Sequence, residues 1–557
     1  MLIGTVPISR REIGAVAGTF ILLTVVFAYP LSTRPAHVML EDQPDFHLFI
    51  WTFGWIAHAW AHDPLSLFDA NIFYPLKHTL AFSENLIGSG FIAAPVIWLT
   101  GNHVLATNLV SLTSVVLCGL GAYLLGRTLG MRPSAACICA LVYAFCPPRF
   151  FRIGQLHLTT VQWVPFSLAY LHGYFATGRS RDLKVAAAFF TLQALTTGHG
   201  AAFAVVAIAA LFAYRFAAGD LVAPMRRLRD LGATGALLLL PAVLIALPYQ
   251  IVQQQHGLRR TLDDTVIPAV SFLASPSKVH QAILSRFVPV SSVNDVAPAF
   301  LFPGYLPVIL AILAIVMVWR RILRDRSTDH TLFYALLAIL TVLLIVGPPF
   351  GLWRFVYWLP GLNFIRVPSR FMILTVLALA VLSGLAFERL QRRFTPSGQR
   401  MAAVGLGLML LVEFSAVPLR VVPFSTRPLA ADRWLADQPR PFVVAEVPVF
   451  GVGRDHSTYM LHSMAHWQKT VHGFSGFDPP QHMALYDAMK GFPGAESLDR
   501  LREFDVTFVV LHIDRYDPEE WEPVRVRMPQ ADGELELVFQ DPKSRVYRLR
   551  GPRGDPR

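Results

Sequence analysis

A multi-pass α-helical membrane protein with a folded α/β tail is the fold class this sequence predicts. Three observations predict it: apolar runs recur along most of the chain, charges are scarce, and basic residues gather in short clusters between the runs. Of 557 residues, 54% are hydrophobic and only 15% are charged, against about 25% charged in a soluble chain. Mean hydropathy is +0.47. Charges at bilayer depth are expensive, so segments that live in lipid exclude them. The net charge of +11 lies in inter-run clusters, as cytoplasmic loops carry it, and nucleic acid is not expected as a partner.

The first run, 13–33, follows Arg10 and Arg11. Many apolar runs come after it and no small-residue cleavage site is evident, so it reads as an anchor and not a cleaved leader. Further runs lie at 104–126, 134–147, 160–176, 184–197, 200–217, 231–252, 303–320, 331–347, 371–388 and 401–418, giving about eleven spans. Tilt and local thinning absorb the runs shorter than ~20 residues. The clusters Arg10/Arg11, Arg127/Arg132, Arg179/Arg181/Lys184, Arg226/Arg227/Arg229, Arg320/Arg321/Arg324/Arg326 and Arg389/Arg392/Arg393 then fall on one side. That side is cytoplasmic, and so is the N-terminus. The run 86–100 breaks the pattern and is expected to be re-entrant or to lie on the outer surface.

The expected division is a transmembrane part, 1–419, with a large first outer loop at 34–103, and an extracytoplasmic α/β domain, 420–557. In the first loop, Phe46, Phe49, Phe53, Ile56 and Trp60 recur at helical spacing, and His58, His62 and Asp63 close the polar end. This predicts an aromatic helix in the interface plane. In the tail, 441–450, 505–513, 534–540 and 544–550 read as strands, the last two as a hairpin around Asp541–Lys543, with RWLADQP and SLDRLREF helical. The four cysteines, Cys118, Cys137, Cys139 and Cys146, all lie in apolar segments. They read as buried inert thiols, and the tail is not a disulfide scaffold.

Four groups of residues carry candidate chemistry. Glu41, Asp42 and Asp45, with Glu84 further on, place carboxylates beside a membrane cavity, where they suit a general base or a metal ligand. The alternative for Asp42 or Asp45 is a helix cap. CPPRFFRIGQLHLTTVQWVP puts Arg149, Arg152, Gln155, His157 and Gln162 at the outer end of a helix, and WLPGLNFIRVPSRF adds Arg366 and Arg370. Guanidinium groups suit phosphate; the alternative is snorkelling to lipid headgroups. HSTYMLHSMAHWQKTVHGFSGFDPP holds His456, His462, His466, His472 and Asp478. His462 and His466 have the i, i+4 spacing that can hold zinc on a helix, with hydrogen-bonded histidines as the alternative. Trp467, Phe474 and Phe477 are equally suited to a sugar groove. There is no phosphate-cradling Gly loop and no nucleotide fingerprint, which weighs against ATP-driven transport and against soluble nucleotide-sugar donors.

EDQPDFHLFIW with NIFYPLKHTLAFSENL, YAFCPPRFFRIGQLHLTTVQWVP, and LPGLNFIRVPSRFMILTVLALAVLSG together resemble bacterial membrane glycosyltransferases of the GT-C class. RWLADQPRPFVVAEVPV and YMLHSMAHWQKTVHGFSGF look like the outer domain of such proteins. The resemblance implies a GT-C-like helical fold and an essential acid in the long first outer loop. It also implies sugar transfer from a polyprenyl-phosphate carrier on the outer face, in many members with a divalent cation such as Mg or Mn. Asp45 best matches that acid, with Asp42 and Glu41 as neighbours; Arg149, Arg152, Arg366 and Arg370 match the need for phosphate contacts by chemistry. Glu84 and His157 are candidates for acceptor or metal contacts. The Asp-Glu pair of some protein mannosyltransferases is reversed here as Glu41–Asp42. The implied activity is an inverting, hexosyltransferase-type transfer to a glycan, lipid or protein acceptor of the cell envelope, in the bacterial inner membrane and among its lipids, with a periplasmic tail. The rival is a non-enzymatic transporter or scaffold of a lipid-linked glycan. The sequence has no evident inverted repeat and its spans are nearly free of Asp and Glu, which favours the enzyme.

Overall fold

The computed structural model describes residues 2–3, 6–41, 45–219, 224–257, 267–287, 289, 293, 299–322, 330–346, 350–359, 362, 365, 367–450 and 454–551. Each apolar run falls on helix. The first becomes Arg10–Phe27, opened by Ser9, whose hydroxyl accepts from the Glu12 amide at 3.0 Å. The second becomes His103–Thr128, where Asn102 accepts from the Leu105 amide at 2.8 Å. These caps satisfy amides that no helical carbonyl can reach. Pro133–Phe145, Trp163–Thr177, Ser180–Thr196 and Gly198–Ala217 follow. The run 231–252 is divided between Pro224–Leu244 and Ala246–His256. Tyr305–Ile322, His330–Ile345, Met372–Gln391 and Pro396–Phe414 complete the bundle. Among the described residues, four helices are long and apolar enough to cross a membrane: His103–Thr128, Gly198–Ala217, Arg229–His256 and Pro368–Gln391.

The outer surface of this bundle is apolar. Leu22, Val243, Ile312, Ile339, Val404 and Leu408 are all exposed. Water does not tolerate such a belt on a soluble protein, whereas lipid does. The helix Met372–Gln391 is the opposite case: its apolar window is wholly buried, among Pro133–Phe145, Tyr305–Ile322 and His330–Ile345. Lipid supplies no hydrophobic drive between helices, so association rests on close approach at small residues. A Cβ on Gly119 would overlap the Phe20 ring, and its absence lets Arg10–Phe27 lie against His103–Thr128.

The segment 86–100 forms the 14-residue helix Ile87–Thr100, packed on the loop helix, on His103–Thr128 and on Ser180–Thr196. It is short for a span, and Phe91, Trp98 and Leu99 give it an exposed apolar edge. The loop helix itself, Asp45–His62, forms where expected but not as expected. An interfacial helix keeps one face in water. Here Phe46, Phe49, Trp51, Phe53, Trp55 and Ile56 are all buried, because tail residues cover the side that the sequence pattern assigns to solvent.

That cover is extensive. Strand β1 (Val38–Leu40) pairs antiparallel with β2 (Val421–Pro423). The remaining tail strands are β3 (Val443–Val447), β4 (Lys469–Thr470), β5 (Phe508–His512), β6 (Leu535–Gln540) and β7 (Ser544–Leu549), arranged β4–β3–β5–β7–β6. β3 runs parallel to β4 and β5, and β7 antiparallel to β5 and β6. Every residue of β3 and β5 is buried, as their predominantly apolar sequences suit central strands, with Glu446 and His512 the polar exceptions. Asp541 accepts from the amides of Lys543 and Ser544, both at 2.7 Å, and so fixes the β6–β7 turn. The expected strands and hairpin are therefore present, with Ala430–Ala436 and Ala495–Glu503 as the expected helices.

The clasp helix, Arg454–His462, is an addition that the sequence pattern did not indicate; it packs on the loop helix. His47 and Ser457 hydrogen-bond at 3.1 Å across this contact. The Trp51 indole donates to Asn71 at 3.2 Å, and the Asn71 amide donates to Ser463 at 3.0 Å. Backbone bonds from Phe73 to His472 and from Tyr74 to Thr470 extend the join.

Candidate functional site

Five segments that are distant in sequence converge at one end of the bundle. They are the start of the loop helix (Asp45), the turn before Ile87–Thr100 (Glu84), the short turns around 151–159 (Arg152 and His157), the start of Gly198–Ala217 (His199), and the Pro368–Phe371 turn (Arg370). Glu84 caps the helix Gly198–Ala217: its carboxylate accepts from the Gly198 amide at 2.6 Å and the His199 amide at 3.2 Å. An anion belongs there, where free amides and the helix dipole point together. The same carboxylate bonds His199 Nδ1, and His199 Nε2 meets Arg370 Nη1 at 2.5 Å. Arginine only donates. His199 Nε2 must therefore accept, which makes the imidazole neutral with its proton on Nδ1, facing Glu84.

The other groups surround this relay. The His157 ring lies 5.7 Å from both the His199 and Phe49 rings. Arg152 donates to Gln155 at 2.7 Å. Burial, and then the nearby Arg370 charge, pull the Arg152 guanidinium down to about 10. Burial pushes the His157 imidazolium well below its ordinary value, helped by Arg370, His199 and Arg152. Burial pushes the Asp45 carboxyl up, and Arg370 partly offsets that. Burial also pushes Glu84 up, but the His199 imidazole and the two amides outweigh it and hold the carboxyl below its ordinary value. Two guanidinium groups that disfavour each other, next to a neutral imidazole, are a charge arrangement that an anion would relieve; the buried Asp45 is made more basic.

The remaining expected residues lie elsewhere. Arg149 does not join this group. It is 0% exposed, turned into the bundle, with Nη1 donating to the Ala144 carbonyl at 2.7 Å and its guanidinium 5.4 Å from the Tyr143 ring centre. Glu41 is exposed, and its amide donates to the Arg420 carbonyl at 3.1 Å. Asp42 and Arg366 lie outside the described residues. Glu84, expected to contact an acceptor or metal, bonds a helix end and a histidine. All four cysteines are free, and three are buried. His199 is the site residue that sequence reading missed. Its signal was a histidine two residues after the Thr197 cap, in TTGHG at the head of an apolar run.

The zinc spacing in the tail is also corrected. The clasp helix ends at His462, and His466 lies beyond the turn, its Nδ1 accepting from the Gln468 amide at 3.0 Å. His462 instead meets Glu446 of β3, whose Oε2 also meets His512 of β5. Among the described residues, Glu446, His462 and His512 form the group able to hold a metal ion, with their ligand atoms within 4.8 Å of one another.

Comparison with known proteins adds the fold. No protein-family model and no curated sequence matches the chain. Solved structures do match. The mycobacterial arabinofuranosyltransferase AftD superposes with a TM-score of 0.61 at 16% identity, over 99% of this chain and 42% of that one. The chain has the fold of GT-C glycosyltransferases. It spans less than half the length of AftD. The Archaeoglobus fulgidus oligosaccharyltransferase AglB, in complex with an inhibitory peptide and a dolichol-phosphate, matches with a TM-score of 0.50 at 15% identity, over 98% of this chain and 75% of AglB. The Archaeoglobus fulgidus oligosaccharyltransferase tethered to an acceptor peptide also matches at 0.50, with 14% identity, over 98% and 75%.

The cap on Gly198–Ala217 makes a stability prediction. Glu84→Gln keeps the shape but loses the charged acceptor, and hydrogen bonds to charged groups are worth about 1.5–3 kcal/mol. The melting temperature in detergent should fall accordingly at pH 7. The folded-state pKa is depressed, so this stabilisation is complete above the unfolded carboxyl value of about 4.3. It is lost as pH falls through the lower folded value. The variant and the parent should therefore converge in acid. Equal melting temperatures at pH 7 would show that the charge is not used.

Proposed function

We propose that this chain is a membrane glycosyltransferase that moves a sugar from a polyprenyl-phosphate donor to an acceptor at the outer face of a bacterial inner membrane, with inversion. The observation that carries the reading is the convergence of Asp45, Arg152 and Arg370 around the Glu84–His199 relay, within a GT-C fold.

Asp45 is the general base. It takes the proton from the acceptor hydroxyl as the oxygen attacks the anomeric carbon. The bond from that carbon to the donor phosphate breaks, and the charge developing on the phosphate meets the guanidinium groups of Arg370 and Arg152. Glu84 and His199 are positioning residues: the carboxylate fixes the imidazole tautomer, and the imidazole aims one Arg370 nitrogen. His157, held neutral by its surroundings, adds no competing cation. A bound dolichol-phosphate in AglB supports the donor class, and the likeness of fold to the arabinofuranosyltransferase AftD supports sugar transfer. Arg149 is left out of the phosphate site, because it faces the bundle interior. The tail, expected to be extracytoplasmic, covers the loop helix and selects the acceptor.

The test is a donor screen. Purified chain in nanodiscs, given a panel of polyprenyl-phosphate sugars, should bind at least one and release lipid phosphate when an acceptor glycan is supplied. Binding of lipid-linked glycans without any release of lipid phosphate would favour the transporter or scaffold instead.

A further inference from the structure

We infer that Glu446, His462 and His512 form a zinc site that ties the tail sheet to the clasp helix. The three residues come from three elements. Glu446 is in β3, His512 ends the neighbouring β5, and His462 ends the clasp helix. His462 Nδ1 is 2.7 Å and His512 Nε2 is 2.6 Å from the same oxygen, Glu446 Oε2. Glu446 and His512 are each about 98% buried. All three donors thus point at one small interior volume.

The donor chemistry selects the ion. Two imidazoles and one carboxylate suit zinc; magnesium prefers oxygen and retains water. Charge agrees. A second buried carboxylate, Asp432, lies close enough to feel both imidazoles, and it keeps one oxygen on the Leu429 amide at 2.8 Å. Two carboxylates and two neutral imidazoles around a divalent cation sum to zero.

The neighbouring histidines are built differently. His472 Nε2 accepts from the Glu446 amide at 2.7 Å, so its proton is on Nδ1, which faces His456 Nδ1 at 2.9 Å. His456 and His472 therefore hold the Glu446 backbone in place and leave its carboxylate to the trio. The clasp helix packs on the loop helix that begins at Asp45. A zinc ion on His462 pins the C-terminal end of the clasp helix to the sheet and stiffens the cover over that helix. This site stands apart from the transfer reading and survives its failure.

The test uses the full chain in detergent, stripped with a chelator and titrated with zinc against a chromophoric competitor. One equivalent should bind per chain. His462→Gln and His512→Gln should each weaken binding by more than ~100-fold, beyond the 10–100-fold typical of losing an outer partner, while His466→Gln should bind as the parent does. Cobalt in place of zinc should give the visible bands of a four-coordinate ion, which does not depend on any variant folding. Hydrogen exchange across 454–462 should slow when zinc is added. Absence of stoichiometric zinc, purification with iron in its place, or equal loss in His466→Gln would each overturn the assignment.

Discussion

Asp45→Asn should fold, bind donor and lose about 10²–10⁴-fold in turnover, the range that a positioned general base contributes. The substitution preserves shape and can still accept hydrogen bonds at a helix start, since Asn serves there about as well as Asp. Only the charge and the basicity go. Those are the properties that the surroundings have adjusted: burial makes this carboxyl harder to ionise than a free one, and Arg370 keeps the shift partial. Measuring donor affinity and kcat separately tells a base from a cap. A cap predicts near-normal values for both. If turnover survives in Asp45→Asn but fails in Asp42→Asn or Glu41→Gln, the base is a neighbour. If it survives in all three, acid–base chemistry at this loop is excluded.

Arg370→Lys should weaken donor binding by about 10–100-fold, from the 1.5–3 kcal/mol that a hydrogen bond to a charged group is worth. Arg370 places one nitrogen on His199 Nε2 at 2.5 Å, and its guanidinium is a rigid planar fork whose geometry suits phosphate. An ammonium has one centre and a different reach, so it cannot serve the imidazole and a phosphate with the same geometry. The positive charge is retained, so a simple headgroup anchor would work as well with lysine. Titration with a polyprenyl-phosphate, with and without its sugar, reads the difference. Unchanged affinity in a folded variant would return Arg370 to the anchor role.

The bundle was legible because lipid imposes a strong rule: apolar runs near helix length have few other outcomes, and each became a helix. The tail strands were legible for a similar reason, as VVAEV and FVVLH are apolar but for one residue each. The cover on the loop helix was not. Local periodicity assigns its second face to solvent, and the residues that cover it lie far along the chain, as His47 and Ser457 do at a separation of 410. The site divides in the same way. Asp45, Arg152 and Arg370 stood out because charges at the edge of apolar segments are costly and need a reason. His199 did not, because its partners lie 115 and 171 residues away. Glu446 and His512 hid inside good strand sequences, where a polar residue passes for the wet side of an alternating pattern.

The pairing of β1 with β2, and the bonds from Asn71 to Ser463 across 392 positions, set an order of events during synthesis. The loop helix emerges early, and its cover is made roughly 400 residues later. At about 5–20 residues per second, roughly 400 residues of delay is ~20–80 s. For that interval the tryptophans and phenylalanines of the loop helix have no tail to bury them. The nascent chain must keep that aromatic surface against the bilayer or in the care of a chaperone until the tail is made. A chain cut short anywhere before the tail leaves the same surface bare, which marks it for quality control as incomplete.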